Sequence, residues 1–407
     1  MWIKPGLDLT YCTNIHAGES WSEVQSSLVE FALPLKQHLS PEAPFGLGLR
    51  LSAIAAAQLI EEDQLAEFKS FLKEHQLYVA LINGFPFGSF HGDVVKERVF
   101  APDWSTPERL HYTSNMASIL GRLLPSGMDG GISTIPLSYK PWVQDRGVSW
   151  PSICRNIAVL AAELVRLRTK TGAWIHLDIE PEPNGLVETT EEIIEFFRGP
   201  LQIFGAPYLA EILSISVDAA RQKLNEHVQV CFDVCHMTIQ FEDAIASLRR
   251  LKQEGIGVGR LQISSALRVL MNKTMNSQAL QEQLQPFSDC VYLHQVVERD
   301  AAGRLRRFRD LDDALANAEP EAGKEWRIHF HLPLFTEKCG RLLTTQEDNR
   351  KILAFALEQE VCSHLEVETY TWHVLPEALK VDMLSSIARE LEWVLQQVPP
   401  DGPCIKP

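Results

Sequence analysis

The sequence predicts an α/β fold in which eight parallel strands, each followed by a helix, close into a (β/α)8 barrel. Two observations lead there. Short β-prone runs recur along all 407 residues, and nearly every run is followed by a longer stretch with helical spacing, the mark of parallel strands joined by crossover helices. In addition, several runs end in a carboxylate or an imidazole, and the C-terminal rim of such a barrel is where chemistry collects.

Taken in order, the strand candidates are 6–12 (GLDLTYC), 45–51 (FGLGLRL), 77–83 (LYVALIN), 129–135 (DGGISTI), 173–179 (AWIHLDI), 228–233 (VQVCFD), 258–264 (VGRLQIS), 326–332 (WRIHFHL) and 363–369 (SHLEVET). Between them lie helical patterns such as 152–171, where Ile153, Ile157, Leu160, Ala161, Leu164 and Leu167 make one apolar stripe. Nine candidates is one more than the ring needs, and 268–325 is the expected place for decoration. There VYLHQVVERDAAGRLRRFRDL reads as two β runs around Ala-Ala-Gly, a hairpin in which Gly303 takes the positive φ of the turn. A barrel of roughly 250 residues with loop insertions reaches this length, so 1–407 is read as a single domain ending in a Pro-rich tail at 399–407. No internal repeat or low-complexity segment interrupts it.

Composition narrows the function. Lys and Arg number 38 against 53 Asp and Glu, a net charge of −15, which works against nonspecific attraction to nucleic acid or to an anionic membrane surface. The eight cysteines are scattered without a C-x-x-C pair, so a reduced cytoplasmic setting is expected rather than a disulfide framework or a zinc ribbon. The first twenty residues carry no signal-peptide pattern, and no window approaches the roughly 18 apolar residues of a spanning helix, so no membrane anchor is expected. No P-loop, dinucleotide fingerprint or G-x-S-x-G elbow is present.

The polar strand ends carry the chemistry. In WIHLDIEPEPNG, His176, Asp178 and Glu180 alternate with Ile175, Leu177 and Ile179, which puts the three polar groups on one face. In VCFDVCH, Cys231 and Asp233 share a face and His236 follows in the loop; His329 and His331 share one in WRIHFHLPLF, as do His364, Glu366 and Glu368 in HLEVETYTWH. Taken singly, each group has an ordinary structural role: Asp233 as a helix cap, Glu368 as an ion-pair partner for Arg50, the histidines as hydrogen-bonded core. Four such ends crowded into one mouth are different, because buried ionised carboxylates cost several kcal/mol each unless paired or metal-bound. Carboxylate oxygen with imidazole nitrogen suits Mn²⁺, Zn²⁺, Fe²⁺ or Co²⁺.

The order Glu180, Asp233-x-x-His236, a histidine strand and Glu368 resembles the xylose-isomerase-like TIM barrels, a superfamily of sugar isomerases, epimerases and endonuclease-IV-type proteins. Within it, LTYCTNIHAGESW, HLDIEPEPNG, CFDVCH, HFHLPLF and LEVETYTWHVLP resemble the EboE group of metabolite traffic proteins, encoded in the Ebo gene clusters of cyanobacteria, algae and other bacteria. The resemblance implies Glu180 and Glu368 as the carboxylates that bridge metal and substrate, one of them a proton-transferring base. It also implies Asp233 as the metal aspartate and His236 as the histidine beside it. The strand after the aspartate offers Gln262 and Ser264 where the epimerases place a histidine; either the site is altered or the role passes to His331, with His329 or His294 as substitutes.

Around this centre Asn14, His16, Arg50, Asn83, His91, Tyr139 with Trp142, and Tyr370 with Trp372 and His373 supply the polar and aromatic mix that holds sugar-like ligands. Gln262, His294 and His329 complete the substrate-binding candidates, and the planar fork of Arg50 is the expected grip for an anionic group. Two functions follow: a metal-dependent isomerase or epimerase of a polyhydroxylated small molecule, or a protein that handles such a metabolite with other Ebo proteins.

Overall fold

The computed structural model describes residues 1–399; residues 400–407, which hold Cys404 and nearly all of the expected tail, lie outside the described residues. Eight of the nine runs form the barrel: β1 Leu7–Cys12, β2 Phe45–Arg50, β3 Leu77–Asn83, β4 Asp129–Thr134, β5 Trp174–Ile179, β6 Val228–Asp233, β7 Val258–Ile263 and β8 His364–Val367. Each pairs in parallel with its chain neighbours, and β8 lies along β1, Leu365 opposite Leu9, so the ring is closed. Helices surround it. The expected helix at 152–171 runs Trp150–Thr171, buries Ile153, Ile157, Leu160, Ala161 and Leu164, and stops at Gly172 with φ +80°, a left-handed C-cap that glycine adopts without strain. Among the described residues no single helix is long and apolar enough to cross a membrane.

The ninth run corrects the expected boundary of the insertion. Glu325–Leu332 is not a barrel strand; it pairs antiparallel with Ser265–Leu270 on one side and Val296–Arg299 on the other, in a separate sheet of six strands. The insertion therefore spans 265–344 rather than 268–325, and it leaves β7 after a single residue, Ser264. The expected hairpin is there, Val296–Arg299 against Leu305–Phe308 with Gly303 at φ +82°. One face of Glu325–Leu332 (Trp326, Ile328, Phe330, Leu332) joins Leu267, Val269 and Phe308 in a core of its own. The opposite face turns His329 and His331 over the barrel mouth.

The barrel interior is unusually charged. Arg260 of β7 stands at its centre, fully buried, with Nε donating to Asp178 Oδ2 at 3.1 Å, Nη1 to Glu366 Oε2 at 3.0 Å and Nη2 to Ile82 O at 3.3 Å. Room for this ion triplet comes from glycine: a Cβ on Gly48 would lie 1.7 Å from Glu366 Oε1. Since inward residues repeat every second position, at about 6.6 Å along a strand, the polar groups of β5 and β8 stack in three tiers. His176 and His364 form the floor, Asp178 and Glu366 the middle, and Glu180 and Glu368 the mouth.

Candidate metal centre in the barrel mouth

The mouth is assembled by strand ends. Glu180 and Glu368 are the first residues past β5 and β8, and their backbone N–H groups still donate to neighbouring strands, to Thr134 O and Ile263 O. Asp233 closes β6 and caps the short helix Val234–Ile239; its Oδ1 accepts from the His236 N–H at 2.9 Å and from the Ser264 hydroxyl at 2.7 Å. The capping role is therefore present, and it leaves Asp233 Oδ2 without a hydrogen-bond partner.

These groups converge. One oxygen each from Glu180, Asp233 and Glu368 lie within 4.8 Å of one another, and so do ligand atoms of Asp233, His236 and His331. All five residues are buried. Glu180 Oε2 and Asp233 Oδ2 have no hydrogen-bond partner, nor does Oε2 of the adjacent Glu182. Buried carboxylate oxygens without donors are what a cation would satisfy.

The imidazoles make the same point through their tautomers. His236 Nδ1 faces Pro181 O at 2.9 Å, His331 Nδ1 faces Glu368 O at 3.1 Å, and His329 Nδ1 faces Gln295 Oε1 at 2.6 Å, the Gln295 amide being oriented by its donation to Glu182 Oε1 and Pro183 O. Every one of those partners is an acceptor, so each Nδ1 carries the proton and each Nε2 presents a bare lone pair. Yet His329 Nε2 stands 3.1 Å from His236 Nε2 and 3.2 Å from His331 Nε2. The Tyr370 hydroxyl, 3.2 Å from His329 Nε2, can supply one proton to this group of acceptors. Lone pairs facing each other at that spacing, with the opposite nitrogens pinned by acceptors, are the arrangement of metal-ligating histidines.

Charge states agree with this. Burial pushes His331 down to about 4, and burial with the neighbouring imidazoles holds His329 well below the ordinary histidine value; burial also lowers His236. All three are neutral near pH 7. Burial, then the Asp233 and Glu182 charges, raises Glu180 well above the carboxylate range; burial, then Glu180 and Asp233, does the same to Glu368. Glu182 is pushed up to about 8, chiefly by burial. Asp233 is the exception: burial opposes its ionisation, but the imidazoles of His236 and His331, the His236 N–H and the Ser264 hydroxyl hold it below its usual value.

The other expected contacts divide. Asn14 and Asn83 reach the mouth, donating to Glu368 Oε1 at 2.7 and 3.4 Å, and Tyr370 lies over His331 with ring centroids 4.6 Å apart. Arg50 does not face a ligand: its guanidinium is held by Gly18 O, Gly88 O and the Glu19 carboxylate at 3.0 Å, and Glu19, not Glu368, is its ion-pair partner. His16 stacks on Phe31, centroids 4.4 Å apart, and His91 ties Asn14 O to the Tyr292 hydroxyl. His294 turns away, between His329 O and Asp289. Trp372 donates to Val381 O and packs against both cores, His373 stands edge-on to His91, and Tyr139 with Trp142 is core. Gln262 sits below the mouth, accepting from Cys231 Sγ at 2.9 Å. The sequence reading missed Glu182, Gln295 and Tyr292, and also Cys235, whose sulfur lies within 4.8 Å of ligand atoms of His329 and His331. Glu182 had a signal, since Glu-Pro-Glu-Pro repeats the carboxylate at the extended-chain period.

The remaining cavity is small, about 40 Å³, and is walled by Asn14, Phe90, Tyr292, Leu293 and Tyr370 above the carboxylates. By the same measure one water needs about 10–15 Å³, so the closed mouth has room for an ion and a few waters.

No family model matches the sequence, and no curated protein sequence matches it. Solved structures that it is similar to include a xylose isomerase domain protein from Planctomyces limnophilus, with 13% identity, 96% of each chain covered and a TM-score of 0.47. Another is an IOLI protein with a bound zinc atom, at 11% identity over 97% of this chain and 100% of that one, TM-score 0.44. A third is a xylose isomerase domain protein from Alicyclobacillus acidocaldarius, at 12% identity over 96% and 99%, TM-score 0.41.

Proposed function

We propose that the barrel mouth binds a divalent transition-metal cation through Glu180, Asp233, His236, His331 and Glu368, and that the protein acts on or handles a polyhydroxylated small metabolite, as an EboE-type member of the xylose-isomerase-like barrels. The observation that carries this reading is the convergence of three buried carboxylates with imidazoles whose Nε2 lone pairs face inward. His329, whose Nε2 faces those of His236 and His331, would stand beside this set as a further ligand.

Mixed oxygen and nitrogen donors fit Mn²⁺, Zn²⁺, Fe²⁺ or Co²⁺. Once bound, such a cation polarises a carbonyl and its neighbouring hydroxyl. The chain's own residues do the rest. Asn14 and Asn83 fix Glu368 Oε1, and Gln295 fixes the His329 ring. In the cation-free mouth the proton affinity of Glu180 and Glu368 is raised well above that of an ordinary carboxylate, by burial first and then by the neighbouring carboxylates. That last feature favours a second reading, an active isomerase or epimerase using the paired glutamates.

The test has two parts. Metal content of the purified protein is measured by mass spectrometry for wild type, Asp233→Asn and Glu368→Gln; a drop of one equivalent per chain in both variants is expected, and retained metal in both overturns the site. Exchange of carbon-bound hydrogen with solvent is then followed for a panel of ketoses and sugar phosphates. Exchange that disappears in Glu180→Gln or Glu368→Gln supports the isomerase, and its absence across the panel supports handling.

A further inference from the structure

A second group of metal-ligand chemistry sits at the opposite end of the barrel. Asp129 is the first residue of β4, His364 the first of β8, and His176 the third of β5, and their ligand atoms lie within 4.8 Å of one another. By the strand rise, this floor lies about 13 Å below Glu180 and Glu368. Both rings are oriented by a carboxylate: His176 Nδ1 donates to Asp178 Oδ1 at 2.5 Å and His364 Nδ1 to Asp8 Oδ1 at 2.6 Å. Their Nε2 atoms then both point at Asp129, at 3.6 Å from Oδ2 and 3.4 Å from Oδ1, and neither has a hydrogen-bond partner.

From these contacts we infer that Asp129, His176 and His364 hold a second divalent cation at the barrel floor, a Zn²⁺-type site with three protein ligands, separate from the mouth. The spacing decides it. Ion-paired imidazolium hydrogen bonds close to about 2.7–2.9 Å, whereas ligands about 2.0–2.1 Å from a tetrahedral ion stand about 3.3 Å apart. The separations of 3.6 and 3.4 Å toward the two Asp129 oxygens lie beyond the first figure and nearer the second. Carboxylate–histidine–metal relays are the usual outer shell of such sites, and this one is built for its place: a Cβ on Gly259 would fall 2.0 Å from Asp178 Oδ1 and 2.6 Å from His176 Nδ1. Carboxylates gather here as well: Asp178 and Glu366 are paired with Arg260, while Asp8 and Asp129 have the His176 and His364 rings as their ion-pair partners. Both imidazoles are fully buried, but the Asp129 side chain is 21% exposed, which leaves a path for the ion and a solvent ligand for the open position. Bound there, the ion ties the beginnings of β4, β5 and β8 together, and β1 through Asp8.

The experiment compares wild type, Asp129→Asn, His364→Gln and Asp233→Asn after dialysis against Zn²⁺ and buffer. Either floor variant is expected to lose one equivalent of zinc per chain while keeping the equivalent that Asp233→Asn removes, and Asp129→Asn with Asp233→Asn together is expected to lose both. Wild-type zinc content in both floor variants overturns the inference and leaves two protonated histidines around Asp129. Should the variants be insoluble, anomalous diffraction at the zinc edge on crystals of the unaltered protein decides: a peak between Asp129, His176 and His364 supports the site, and its absence from zinc-soaked crystals overturns it.

Discussion

Loading the mouth with a cation should expel protons. In the cation-free protein Glu180 and Glu368 hold their protons well above the ordinary carboxylate range, while Asp233 is already ionised. A cation needs both glutamates as carboxylates, so its binding releases whatever protons they hold, at most two, and affinity rises with pH until both are ionised, by at most about a hundredfold per pH unit, or roughly 2.7 kcal/mol. The sign for stability follows. Carboxyls whose folded pKa lies above the unfolded value favour the fold at low pH and stop doing so as pH rises from about 4.5 towards the raised value. The stripped protein should therefore lose stability as pH rises above about 4.5, and saturating Mn²⁺ or Zn²⁺ should restore it. Calorimetric titration of stripped protein at pH 7, in two buffers of different ionisation enthalpy, counts the protons directly. Glu368→Gln, which is expected to lose the cation, should give neither the binding heat nor the proton release. A heat that does not depend on the buffer, with affinity flat from pH 6 to 8, would show these carboxyls to be ionised before the metal arrives and would refute the reasoning.

Two further expectations concern the scaffold. Replacing Arg260 by Met leaves Asp178 and Glu366 buried without their guanidinium and should cost about 3–5 kcal/mol in urea unfolding at pH 7; the deficit should shrink towards pH 5 as Glu366 takes up a proton, and a loss below about 1 kcal/mol would show that the triplet is not what neutralises the interior. Glu390, which accepts from the Leu334 N–H and the Thr369 hydroxyl, is pushed up to about 7 by burial. Its raised pKa weakens the fold as pH climbs from 4.5 to 7, by at most about 3 kcal/mol, and Glu390→Gln should flatten that slope in thermal melts across the interval.

Much of the barrel was legible because its strands are short, β-prone and separated by long helical patterns, and polar residues at alternate positions of WIHLDI and HLEV marked the inward face. The same alternation misled at WRIHFHL. In most barrels an alternating run would stand out from strands covered on both faces. Here the interior itself is charged, through Arg260, Asp178 and Glu366, so barrel strands and the accessory strand carry the same pattern. Which loop side chain meets which partner was not legible at all. Arg50 is taken by Glu19 and His294 by Asp289 through contacts set by the packing of the 13–20, 84–100 and 289–295 segments, and nothing in local sequence records that packing.

The arrival of His331 at the mouth has a geometric cause. Chain register places Gln262 beside both Asp233 and Glu366, deep in the barrel, so the next inward position is Ser264, which spends its hydroxyl on Asp233. From Ser265 the backbone runs straight out into the accessory sheet. The strand that returns along it sets Leu332 opposite Ser265, and this delivers His331 to the corner of the mouth that β7 has just left. His331 thus reaches the mouth from the antiparallel partner of β7's own continuation. Because His329 arrives on the same face two residues earlier, the insertion that closes the mouth also carries part of the proposed ligand set, so closure of the sheet over the barrel and completion of the proposed site would be a single structural event.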